Sequence, residues 1–247
     1  MTKSRCICSY DVDMTEYASF FTYAPLSGST CAVTGCTAPE PVSLLIPPCD
    51  PDGRVVVAIG ERAFSGCTTL RTVTLPDSVE AVGDRAFAFC TGLLDLRLSP
   101  ESRLATVGAR AFMGCERLTS LRFGTLTRLS SLGRSAFAYC TRLRHILLPS
   151  TLRELGPSLF EGCTALEFVR LPEGLTTLRT GTFAACSALR SVVLPHTLTS
   201  IEDCAFAWCG HLAHLYLPDS PCVIAASAFK ECGELGDPLQ LTTLEAV

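Results

Sequence analysis

Several signatures of catalysis and of charged partners are missing from this chain. It has no run of lysine or arginine, and its net charge is −4 over 247 residues. A nucleic-acid groove and a polybasic membrane patch both need clustered positive charge, so neither is expected. No apolar run approaches the ~18 residues that a membrane-spanning helix needs. The first stretch, MTKSRCICSYDVDM, has Lys3 and Arg5 with no apolar segment behind them, and does not read as a signal peptide. There is no glycine-rich phosphate loop, no H-E-x-x-H and no G-x-S-x-G. Histidine is scarce and dispersed: His145, His196, His211 and His214. Aspartate and glutamate are scattered over variable positions, as on solvated turns.

What the chain does have is a core. Hydrophobic residues make up 48% of it and charged ones 18%, too apolar a balance for disorder. It also has a repeat, and repeats decide a fold before any motif does. Phe is followed three residues later by Cys at Phe64/Cys67, Phe87/Cys90, Phe112/Cys115, Phe137/Cys140, Phe160/Cys163, Phe183/Cys186, Phe206/Cys209 and Phe229/Cys232. Successive spacings are 23, 25, 25, 23, 23, 23 and 23. A diverged copy, AVTGC from Ala32 to Cys36, has Val33 in place of the Phe.

The unit reads L-x-x-[LIV]-x-L-P-x-x-[LV]-x-x-[LIV]-x-x-x-A-F-x-x-C-x-x. In the copy from Leu189, Leu189, Val192 and Leu194 mark a short strand, and the last two share a face. Pro195 ends the pairing because it has no N–H to donate. Leu198 and Ile201 carry the chain across the core, and Ala205-Phe206-x-x-Cys209 predicts one helical turn with Phe and Cys on one face. Such a unit cannot bury its own apolar edge and must stack on copies of itself, as a solenoid.

This pattern resembles the BspA-like, or TpLRR-class, leucine-rich repeat, over about residues 32–235. The resemblance implies an α/β solenoid: a curved leucine-rich-repeat stack with a concave parallel β-sheet and short helical turns on the convex side. It also implies bacterial or protist origin and a role in adhesion or protein binding, with no catalytic residues and no cofactor. Residues 1–31 are expected to form an N-terminal cap or irregular segment, whose EYASFFTYAP stretch covers the first core layer. Residues 236–247 are expected to be a short C-terminal cap. Leu98 to Phe112 and Phe123 to Phe137 are each two residues longer than Leu75 to Phe87, so the regular stack is expected to be disturbed between Ser99 and Arg128.

The nine cysteines of the repeat column, Cys36 to Cys232, are expected to be reduced, buried and to act as small hydrophobes. Thiolate chemistry needs exposure and nearby positive charge, which the column does not offer. Cys140 and His145, five residues apart, look like a nucleophile and its base. They fall on opposite sides of the strand and are not a catalytic pair. Outside the column, Cys6, Cys8 and Cys31 offer three zinc ligands or a disulfide, but their spacing matches no strong zinc signature. Unpaired thiols favour a reducing compartment, whereas the resemblance favours the cell surface.

The informative surface is the outward face of the strands. Its first three repeats are polar. The later ones carry His145, Leu147, Phe168, Arg170, Val193, His214 and Tyr216. Nothing in the repeat demands apolar residues at outward positions, and a contiguous apolar patch marks a partner or ligand site. The expected function is a non-catalytic module that binds a protein or an apolar ligand there. A structural or self-associating scaffold, homo-oligomeric through its sheet edges, and an intracellular adaptor are the alternatives.

Overall fold

The computed structural model describes residues 17–37, 41–123, 126–216, 222–233 and 235. The chain first makes an antiparallel hairpin, β1 (Phe21–Ser27) and β2 (Thr30–Cys36). It then winds as a solenoid in which every coil has three sides. One side is a three-residue strand: β3 (Ser43–Leu45), β5 (Thr72–Thr74), β7 (Asp95–Arg97), β9 (Ser120–Arg122), β11 (His145–Leu147), β13 (Phe168–Arg170), β15 (Ser191–Val193) and β17 (His214–Tyr216). The second side begins with β4 (Val55–Ile59). It continues in two-residue strands: β6 (Ala81–Val82), β8 (Thr106–Val107), β10 (Ser131–Leu132), β12 (Glu154–Leu155), β14 (Thr177–Leu178), β16 (Ser200–Ile201) and β18 (Val223–Ile224). The apolar pair expected only to cross the core thus pairs with its neighbours as a second parallel sheet.

The third side corrects an expectation. The Ala-Phe-x-x-Cys segments are not helical turns but consecutive tight turns closed by bonds such as Cys90 N–H to Phe87 O, at 3.3 Å. The reason lies in the backbone. Residues two before and two after the Phe adopt left-handed φ, as at Arg85 (54°) and Phe89 (59°) in one coil and Ser135 (52°) and Tyr139 (60°) in another. A right-handed helix cannot pass through such residues. The turns form a ladder of their own between coils, for example Phe87 N–H to Ala111 O and Phe112 N–H to Ala136 O.

Within this frame the repeat residues form two columns. Eight Phe rings from Phe64 to Phe229 lie nearly parallel, with centroids 5.2 to 5.9 Å apart. At that separation parallel rings are offset, the arrangement their quadrupoles favour. The cysteines beside them are more than small hydrophobes. Each thiol from Cys90 to Cys232 donates to the carbonyl of the Phe in the preceding coil, as Cys140 Sγ does to Phe112 O at 3.4 Å and Cys209 Sγ to Phe183 O at 3.1 Å. That carbonyl already accepts the backbone N–H of the cysteine in its own coil, as Phe112 O does from Cys115, so the thiol adds a bond at its second lone pair. No disulfide joins the described cysteines.

At the N-terminal end, Tyr17 packs edge-on to Phe21, and Phe21 edge-on to Phe64, at 5.5 and 6.5 Å. Phe21 therefore closes the Phe column. Ala32–Cys36, aligned with the turns by sequence, is strand β2 instead, because it pairs with β1 on one side and β4 on the other. The connection between β3 and β4 is pinned by the buried Asp50 carboxylate. Asp50 accepts from the Asp52 and Arg54 amides and pairs with the Arg54 guanidinium at 2.6 Å. The expected cap at residues 236–247 lies outside the described residues.

The sheets are interrupted in two places. The first sheet breaks between β7 and β9, at the first long repeat, as expected. The second long repeat is absorbed in its connection, and β9 pairs with β11 in regular register. A further break lies between β11 and β13, where the spacing is the ordinary 23. At this coil interface the second sheet also parts, between β12 and β14. Gly60, Gly83, Gly108, Gly133 and Gly156 follow successive second-sheet strands, and the equivalent residue after β14 is Arg179. A Cβ at Gly133 would sit 2.7 Å from the Ala109 nitrogen and one at Gly83 2.9 Å from the Glu61 nitrogen. A side chain there needs a looser approach, yet Glu202 and Ala225 hold the equivalent places after β16 and β18 and their coils still pair, so Arg179 alone does not account for the break. At the same interface β13 forms no hydrogen-bonded ladder with β11. The turn ladder carries on across the gap through Phe137 N–H to Leu159 O and Phe160 N–H to Thr182 O.

Gly133→Ala should therefore cost about 1–3 kcal/mol, because the backbone of the preceding coil must shift. Gly210→Ala, with nothing within 4 Å of the added carbon, should stay within about 0.5 kcal/mol. Urea midpoints of the two variants check this.

Candidate functional site

The outward residues of the first sheet's later strands lie where the register places them. Leu121, Val169, Val192 and Leu215 point into the core, so their strand neighbours point out. Phe168, Ser191 and His214 form one row across β13, β15 and β17, and Arg170, Val193 and Tyr216 the next. His145 and Leu147 continue these rows on β11, beyond the break. Leu147 is 59% exposed, Phe168 49% and Tyr216 59%. His145, Arg170 and His214 are exposed, and Val193 is half-buried. Apolar area is thus held open to solvent on regular strands, with a histidine at each end of the row.

Cys140 and His145 do not come together as a pair. Cys140 is fully buried in the column, while His145 stands on the outer face. Burial pushes the Cys140 thiol up to about 12, and the Cys90 and Cys186 thiols likewise to about 12. Such thiols stay protonated where a nucleophile would have to be a thiolate. Cys31 is pushed up to about 11, by burial and then by the Asp50 charge. Cys6 and Cys8 lie outside the described residues. Among the described residues no group of three or more His, Cys, Asp or Glu is placed to hold a metal ion. No helix among them is long and apolar enough to cross a membrane.

The coil geometry agrees with known proteins. The BspA type leucine rich repeat region matches this chain in six copies, over residues 54–131 and 105–236. The chain belongs to that family. The leucine-rich repeat protein TpLRR of T. pallidum is 30% identical to it, with a TM-score of 0.70, over 79% of this chain and 89% of that one. A leucine-rich repeat protein of Bacteroides ovatus is 24% identical, with a TM-score of 0.59, over 92% of this chain and 70% of that one. No curated protein gives a significant match.

Against this BspA-type frame, one set of exposed residues was not anticipated from the repeat. Phe89, Tyr139 and Trp208, 51, 45 and 50% exposed, occupy the left-handed position just before a ladder cysteine. The same position is glycine at Gly66, Gly114 and Gly162. The Phe89 ring lies against Gly114 and the Tyr139 ring against Gly162, where any side chain would collide with it. The Tyr139 hydroxyl also donates to Glu161 at 2.8 Å, and the Lys230 ammonium sits 5.9 Å from the Trp208 ring. These aromatics cover the next coil's turn. The alternation of glycine with aromatic before the cysteine was the signal that could have revealed them.

The raised thiols set an alkaline limit on stability. A thiol raised in the folded state stabilises it fully below the ordinary value of 9.0, and that contribution is lost as pH rises toward about 12. Each such thiol should cost up to about 1.4 kcal/mol per pH unit within that window. The urea midpoint should be level up to about pH 9 and then fall, less steeply in Cys140→Ala. A midpoint still level at about pH 11 would contradict the protonated ladder.

Proposed function

We propose that this chain is a non-catalytic binding module that engages a protein partner through the outer face of its first sheet, centred on β13 to β17. The observation that carries the reading is the exposure of Leu147, Phe168 and Tyr216 at outward positions of regular strands, where folding places no demand for apolar residues. Aromatic side chains on a rigid support supply contact area at little ordering cost. His145, Arg170 and His214 provide a polar rim around that apolar centre, the usual anatomy of an interface. The family's common use as an interaction module supports the reading, and adhesion or contact with a host is the setting it suggests.

The test is a double variant, Phe168→Asp with Tyr216→Asp. Hot-spot aromatics carry about 2 kcal/mol or more each, so partners captured by the wild type and counted by quantitative mass spectrometry should be lost. The melting temperature should hardly change, because both rings already face water. A fall of many degrees would place the rings in the core. An unchanged partner set would move binding off this face. Higher oligomers seen by light scattering in the wild type and absent in the variant would assign the face to self-association.

A further inference from the structure

The break between β11 and β13 lies inside the face just assigned to binding, and it has properties that the intact strand pairs lack. In regular pairs the carbonyl before each strand accepts two amides from the next coil. Thr119 O takes Arg144 and His145 N–H, and Glu167 O takes Arg190 and Ser191 N–H. At the break the corresponding bonds from Glu167 and Phe168 to Arg144 O are missing, as is that from Leu148 to Arg170 O. Two strand edges thus face each other with backbone donors and acceptors unused by either. The core is uncovered at the same place. Ile146 and Leu148 are half-buried, whereas their equivalents Val169, Leu171, Val192 and Leu194 are buried. A cavity of about 310 Å³ opens there, lined by Arg144, His145, Ile146, Glu167 and Phe168.

We infer that this seam receives an extended segment of a partner protein, with one of its apolar side chains lodged beside Ile146 and Phe168 and its backbone paired to the free edges of β11 and β13. This rests on the binding reading above and names the kind of partner it takes. A lone apolar cavity would not select its occupant. The unused amides and carbonyls do, because a strand is the ligand whose own main chain matches them residue by residue. Exposed edges are ordinarily blunted by lysine, proline or a bulge, and His145-Ile146-Leu147 and Phe168-Val169-Arg170 carry none of these. Charge adds direction: Arg144 stands on one lip and Glu167 on the other, both exposed and in no ion pair among the described residues. The seam must widen to admit the segment. The second sheet is already parted at this interface, so widening the seam breaks no sheet hydrogen bond and pivots on the turn ladder.

The experiment uses the full chain and a phage-displayed library of linear random peptides. Selection should enrich peptides with apolar residues at alternate positions. In hydrogen exchange, a selected peptide should slow the amides of Leu148, Glu167 and Phe168. His145→Trp, which fills the cavity from an exposed position, should weaken that peptide by about tenfold or more. Thr74→Trp, an outward change on an intact pair, should leave it unchanged. Failure to enrich any peptide overturns the inference. So do peptides that bind His145→Trp as well as wild type and leave the three amides unprotected. If those peptides are still lost with Phe168→Asp and Tyr216→Asp, the face binds without the seam. If they survive that double variant too, the reading of the face fails with it.

Discussion

Everything in this molecule follows from coils that must lie one strand spacing apart. Backbone hydrogen bonds between coils set that distance on three sides, and each repeated side chain is a solution to it. The Phe rings stack because identical residues are brought into line. The thiol of each cysteine reaches the carbonyl of the coil before it. Glycine after the second-sheet strands marks where two backbones come closest.

Much of this was legible in the sequence because the constraint recurs. A residue type repeated every 23 positions reports a place in the coil rather than a local preference. The register of His145, Leu147, Phe168 and Tyr216 followed from the inward residues beside them. Three things were not legible in the same way. The helical turn was expected because Phe and Cys three apart suit a helix face, but the left-handed residues at Arg85 and Phe89 are not declared by their side chains. The second sheet was hidden because strands of two residues carry too little alternation to show a period of two. The role of sulfur was underestimated because a buried thiol looks alike in sequence whether or not it meets an acceptor.

The β11/β13 break shows why a spacing count is an incomplete guide. Two inserted residues after β9 did no harm to pairing, since a connection can bulge outward and leave the strands in place. A repeat of ordinary length lost its pairing on both sheets. Repeat length governs how the chain connects its coils and does not by itself decide whether they pair.

The three ladders also determine how the stack bears load. Tension applied between its ends is shared by both sheets and the turns at most interfaces, by one sheet and the turns at β7/β9, and by the turns alone at β11/β13. A chain of links in series yields at its weakest link, so pulling would part the molecule at β11/β13 and leave two blocks, the first still carrying the β7/β9 break. The one interface where both sheets part thereby fixes where the protein gives way mechanically.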